Sequence, residues 1–195
     1  MMKNELLKYK TLNELADKNG IVVFGGSEDM NVPLGELKQA FDIDSKMYNR
    51  SISGLSINDA TAAYDACVAP LSPETVLLHI GSADLDSFEK ASSAFDYKYH
   101  ELIAHIRSQN KKCRIVVISL KNYENNDTIT EMNRHLEYIA DSEKCEYGNI
   151  AAKRVWNPRS SMETASFLHN LGIIRPLASK RPVYDLVRMI FCYGT

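Results

Sequence analysis

Apolar and polar positions alternate along the chain on two different periods, and the switches between them outline its elements. Ile21 to Phe24 (IVVF), Thr75 to Ile80 (TVLLHI) and Arg114 to Leu120 (RIVVISL) are nearly continuous apolar runs of strand length. Such runs suit parallel strands covered on both faces. Shorter mixed stretches, Lys46 to Asn49 and Cys145 to Ile150, are expected as two further strands. Between the runs the period lengthens to that of a helix. Asn4 to Lys18 places Leu6, Leu7, Leu12, Leu15 and Ala16 at roughly helical spacing before Asn19 and Gly20 end it. Asn31 as cap and Pro33 in the first turn start a helix to about Phe41, with Leu34 and Leu37 on its inner face. Ile57 to Val68 reads as a helix bounded by Pro70, and Ser82 to Asp86 leads into a long amphipathic stretch containing Phe88, Phe95, Tyr99, Leu102, Ile103 and Ile106. Tyr97 and Tyr99 are both expected to pack against the core. Asp127 is the expected cap of a helix facing inward through Ile129, Met132, Leu136 and Ile139. From 151 to 180 the pattern weakens around Pro158, Gly172 and Pro176, and a helical pattern returns from Pro182 to Cys192. Strands alternating with helices predict a three-layer α/β/α sandwich around a mostly parallel, flavodoxin-like sheet.

Composition narrows the function classes. With 195 residues, 22.0 kDa and 45% hydrophobic residues, the chain is expected to form one domain spanning 1–195. Its formal charge of -2 provides no basic field for nucleic acid or an anionic membrane, so neither is expected as a partner. The start, MMKNELLKYK, lacks the apolar core of a secretion signal, and no stretch reaches membrane-spanning length. Cys67, Cys113, Cys145 and Cys192 are widely spaced without a Cys-x-x-Cys pair, which fits reduced thiols in a cytoplasmic protein. His100, His105 and His135 have no metal-ligand spacing, and His79 in its apolar strand is most simply a satisfied core histidine. No metal and no cofactor is expected.

Chemistry concentrates in three turns, each following a predicted strand. Gly25-Gly26-Ser27-Glu28-Asp29 leaves the first strand, Arg50 to Ser56 (RSISGLS) the second, and Gly81-Ser82-Ala83-Asp84 the third. In a parallel sheet the carboxyl ends share one edge, so the three turns can meet and expose the Ser27 hydroxyl there. For Ser27 the plain alternative is a turn serine capping the next helix. Asp84 has two open readings, a cap for a helix beginning near Ser87 or a member of the site.

These turns resemble the blocks of the SGNH/GDSL hydrolases, a family of serine esterases and acylhydrolases. Gly25-Gly26-Ser27-Glu28 looks like the family's Gly-Asp-Ser-Leu, the NRSISG run from Asn49 to Gly54 like its Asn and Gly after strand two, and Gly81-Ser82-Ala83-Asp84 like its Gly-x-Asn-Asp. The resemblance covers roughly Ile21 to Leu120. It implies Ser27 as nucleophile, backbone N–H groups of Ser27 and Gly54 as oxyanion donors, a substrate-binding rim that includes Gly26, Ala83 and Asp84, and a small-molecule or glycan ester as substrate. The family ends on Asp-x-x-His, and His169 in SFLHNLG is then the implied general base, with Ser166 where the Asp stands. Four residues depart from the pattern: Ala83 in place of a side-chain amide donor, Ser166 in place of the carboxylate, Glu28 beside the nucleophile and Gly26 without a side chain to hold the turn. Two alternatives follow. One is a ligand-binding relative that has lost turnover. The other is a nucleotide or flavin binder, disfavoured because GGSEDM lacks a third glycine and sets Glu28 and Asp29 where phosphate would bind.

Overall fold

The computed structural model describes residues 2–40, 44–122 and 125–150. Five strands form one sheet: β1 (Ile21–Gly25), β2 (Met47–Asn49), β3 (Thr75–His79), β4 (Arg114–Ile118) and β5 (Glu146–Gly148). Their order is β2-β1-β3-β4-β5 and every pairing is parallel. The helices are α1 (Met2–Glu14), α2 (Leu34–Ala40), α3 (Ile57–Cys67), α4 (Leu85–Lys90), α5 (Ser92–Gln109) and α6 (Asp127–Ser142). They flank the sheet as a three-layer α/β/α sandwich, the predicted architecture.

Successive side chains of a strand point to opposite faces. Val22, Phe24, Val76, Leu78, Ile115 and Val117 join one core with residues of α3, α5 and α6, while Val23, Leu77 and Val116 on the other face are buried as well. Burial on both faces is what the continuous apolar runs required. Among the described residues no helix is long and apolar enough to cross a membrane.

Several local expectations are corrected. α1 ends at Glu14; Leu6 and, just beyond the helix, Ala16 pack inward as expected, together with Met2 and Tyr9, whereas Leu7, Leu12 and Leu15 are exposed. Spacing alone could not choose between the two faces. α2 begins at Leu34, and the carbonyl of Pro33 accepts from Leu37 N–H, so the proline precedes the first turn. The amphipathic stretch after β3 is two helices, broken at Ala91, where the backbone turns extended (φ -157°, ψ 71°). The cap of α6 is Asn126, whose side chain accepts from Ile129 N–H; Asp127 is the first helical residue. Tyr99 is buried as expected, but Tyr97 is exposed. The helix predicted for Pro182 to Cys192 lies outside the described residues.

Candidate active site

β1 sits in the sheet between β2 and β3, so its carboxyl end is flanked by theirs: Val23 pairs with Asn49, and Gly25 with His79. The backbone leaves β1 through Gly25 and Gly26 into a single 3-10 turn, Ser27–Asp29. Gly25 has no room for a side chain, because a Cβ there would lie 2.0 Å from Asp29 Oδ2 and 2.8 Å from the His79 carbonyl. The glycine is therefore a packing requirement of the buried Asp29. Ser27 and Glu28 are exposed on the same turn.

The second loop folds back onto this turn. Ile52 N–H donates to the Gly25 carbonyl (3.0 Å), which carries the chain past β1. Gly54 then donates its N–H to Ser27 Oγ at 2.9 Å, and Ser53 Oγ lies 3.4 Å from the same oxygen. Gly54 has φ +65°, the left-handed region, where a side chain costs about 1 to 2 kcal/mol. Its N–H is thus held at the serine oxygen by a backbone conformation that glycine favours.

The third loop reaches the other two through Ser82 and Asp84. A Cβ on Gly26 would lie 3.1 Å from Ser82 Oγ, so the glycine permits that approach. Asp84 Oδ2 accepts from Ile57 N–H at 2.9 Å. It caps α3, which starts after the second loop, and makes no side-chain bond to its own helix α4. Neither open reading of Asp84 anticipated this long-range cap. Burial is the main influence on its carboxyl and pushes its pKa up to about 6, partly offset by the Ile57 N–H and reinforced by Asp59. Ala83, the position of the missing amide, is exposed.

All three loops therefore meet at one rim, as the sheet geometry predicted. His169 and Ser166 lie outside the described residues. Among the described residues, the side-chain partners of Ser27 are Gly54 and Ser53 and include no imidazole. A cavity of about 110 Å³ adjoins the rim between α3 and the α4–α5 junction, lined by Ile57, Asn58, Ser87, Ala91, Ala94 and Phe95. Among the described residues no group of three or more His, Cys, Asp or Glu is placed to hold a metal ion.

Four residues of this region carry more than the sequence revealed. Asp29 and His79, each 2% exposed, form a buried pair, with His79 Nδ1 2.9 Å from both carboxylate oxygens. This supplies the polar partner expected of a core histidine. Ser53 stands beside Ser27, and Glu5 of α1 accepts from Ser53 N–H at 3.1 Å. Only the motif around Asn49 to Gly54 pointed to Ser53; Glu5 is 48 residues away from it in sequence and left no local signal.

No protein-family model and no curated protein matches the chain. Solved structures do. A Streptococcus pneumonia protein named for platelet activating factor is 16% identical with a TM-score of 0.68, over 88% of this chain and 91% of that one. The acetyl xylan esterase AlAXEase is 16% identical with a TM-score of 0.58, over 89% and 96%. A GDSL-like lipase from Bacteroides thetaiotaomicron is 20% identical with a TM-score of 0.53, over 74% and 77%. At such identities the likeness is one of fold, and the fold is of the SGNH/GDSL hydrolase type.

Proposed function

We propose that the protein is a serine esterase, removing acetyl or other acyl groups from a small molecule or glycan, with Ser27 as nucleophile. The observation that carries this reading is the exposed Ser27 hydroxyl at the end of β1 with Gly54 N–H aimed at its oxygen. Solved structures of similar fold include acetyl xylan esterases, which favours an acetylated sugar among the candidate substrates.

In the proposed reaction Ser27 Oγ attacks the acyl carbonyl carbon while its proton passes to the His169 imidazole. The carbonyl oxygen takes the negative charge and is held by the backbone N–H groups of Gly54 and Ser27. Collapse breaks the ester C–O bond, and the alcohol leaves with the proton from His169. Water, deprotonated by the same imidazole, then attacks the acyl-serine and releases the carboxylic acid and free Ser27. Ala83 provides no side-chain donor, which in comparable sites costs on the order of 10² to 10³ in rate, so slow turnover is part of the proposal.

The test is hydrolysis of p-nitrophenyl acetate and of acetylated xylo-oligosaccharides by the full chain. Turnover that disappears in Ser27→Ala and falls steeply in His169→Ala is expected; turnover that survives Ser27→Ala would overturn the reading. A second reading, a ligand-binding protein without turnover, is favoured by Ala83 and by Ser166 in the place of a carboxylate. It predicts binding of an acetylated sugar with no hydrolysis at any enzyme concentration.

A further inference from the structure

We propose that Asp29 is the positioning residue of this site, locking the nucleophile turn and the Gly54 loop into one ring with Asn49 and His79 as its partners. The inference rests on the proposed role of Ser27 and extends it to residues that do not touch substrate.

Asp29 ends the 3-10 turn that begins at Ser27, and its own N–H donates to Gly26 O at 3.2 Å. Its side chain takes His79, the last residue of β3, and its carbonyl takes Asn49 Nδ2, the last residue of β2, at 2.6 Å. One buried residue thus holds the carboxyl ends of both strands that flank β1. Asn49 continues the connection, since its Oδ1 accepts from Ser51 N–H at 2.9 Å at the start of the loop that carries Gly54. The Gly54 N–H closes the ring on Ser27 Oγ.

A buried hydrogen bond gives modest net stability, but it is directional, and deleting the acceptor leaves the imidazole without the contact that orients it. Here the direction coincides with the placement of the serine and of its N–H donor. A displacement of about 1 Å in such a constellation costs on the order of 10²-fold in rate. Residues that set it act on the chemical step more than on substrate binding.

The test combines two readouts on the full chain: the rate and affinity of Ser27 modification by a fluorophosphonate, and hydrogen exchange of the Gly54 amide against that of Val116 in β4. Asn49→Ala is expected to slow the modification step by on the order of 10- to 100-fold with affinity little changed. Gly54 exchange should quicken at least about tenfold while Val116 is unmoved. Asp29→Ala should do the same, and Asp29→Asn, which retains an acceptor for the imidazole, should recover part of the loss. If Asp29→Ala does not fold, Asn49→Ala decides alone. Unchanged Gly54 exchange, or Val116 exchange quickened equally, would overturn the inference. If wild-type protein never reacts with the probe, the nucleophile reading fails, and the positioning ring stands or falls on Gly54 exchange by itself.

Discussion

At Ala83 a single methyl stands where the related motif has an amide. The residue lies on an exposed bend, in the loop whose Asp84 caps α3 beside the Gly54 loop. An asparagine there needs no core space, and under the proposed reading its amide would face the oxyanion that Gly54 and Ser27 hold. Ala83→Asn is therefore expected to raise kcat for ester hydrolysis by roughly 10²-fold with KM little altered, the reverse of deleting an oxyanion donor. Steady-state kinetics on p-nitrophenyl acetate decide it, and an unchanged kcat would mean that this loop does not face the reacting carbonyl. The residue scale is also where sequence was least informative. Nothing near Asp29 in the chain announces His79, 50 residues on, and a GGSED turn reads the same whether its aspartate is exposed or sealed against a histidine. Gly25 hinted at it, but a glycine after a strand is explained as well by an ordinary turn.

Between elements, the junction of the third loop with α3 has a definite pH signature. Asp84 sits at the N-terminus of α3, where a carboxylate suits the helix dipole, yet burial outweighs that benefit and raises its pKa from the ordinary 3.8 to about 6. A carboxyl whose folded pKa is raised binds its proton more tightly in the folded protein. Its stabilising contribution is fully present below about pH 4 and is lost as pH rises through about 6. Asp84→Asn keeps an oxygen acceptor for Ile57 N–H and has no proton to lose. Across pH 4 to 7 the wild type should therefore lose stability relative to Asp84→Asn, by on the order of 1 to 3 kcal/mol, read from urea midpoints. A difference independent of pH would contradict the assignment. The strands themselves were legible because both-face burial leaves continuous apolar runs, and β1, β3 and β4 carry them plainly. α1 was legible as a helix but only partly in its orientation, for its inward face runs through Met2, Leu6 and Tyr9 and continues at the polar Asn13. Asn13 belongs on that face because it donates to Cys67 O and accepts from Arg50. The break at Ala91 was not legible, since KASS has neither the proline nor the glycine that marks most interruptions.

Across the molecule, α1 is tied to the same rim that holds Ser27. Arg50, 4% exposed, donates to Asn13 and to the Asn49 carbonyl, and its guanidinium lies 5.1 Å from the centroid of the Tyr9 ring and 5.5 Å from that of Tyr48. Tyr9 OH donates to Ser51 O at 2.6 Å, and Glu5 receives Ser53 N–H. The N-terminal helix thus clasps the loop between β2 and α3 from outside. Arg50→Ala removes stacking, packing and charge-assisted hydrogen bonds together and is expected to cost about 2 to 4 kcal/mol. It should also quicken exchange in the Ser51 to Gly54 amides more than in β4; a uniform loss would mean that α1 supports the fold without supporting the loop. The convergence of the turns could be foreseen from topology, because parallel strands send every following loop to one edge. The clasp could not, because it joins residues 37 to 48 positions apart through side chains that each have ordinary surface explanations.

The account depends most on Ser27 being the residue that bonds to an acyl group, and covalent capture reads that directly. The 195-residue chain treated with a fluorophosphonate should gain one adduct, mapped by peptide mass spectrometry to the GGSEDM segment at Ser27 and lost in Ser27→Ala. Native protein that stays unmodified, or an adduct mapped to any other residue, would contradict it.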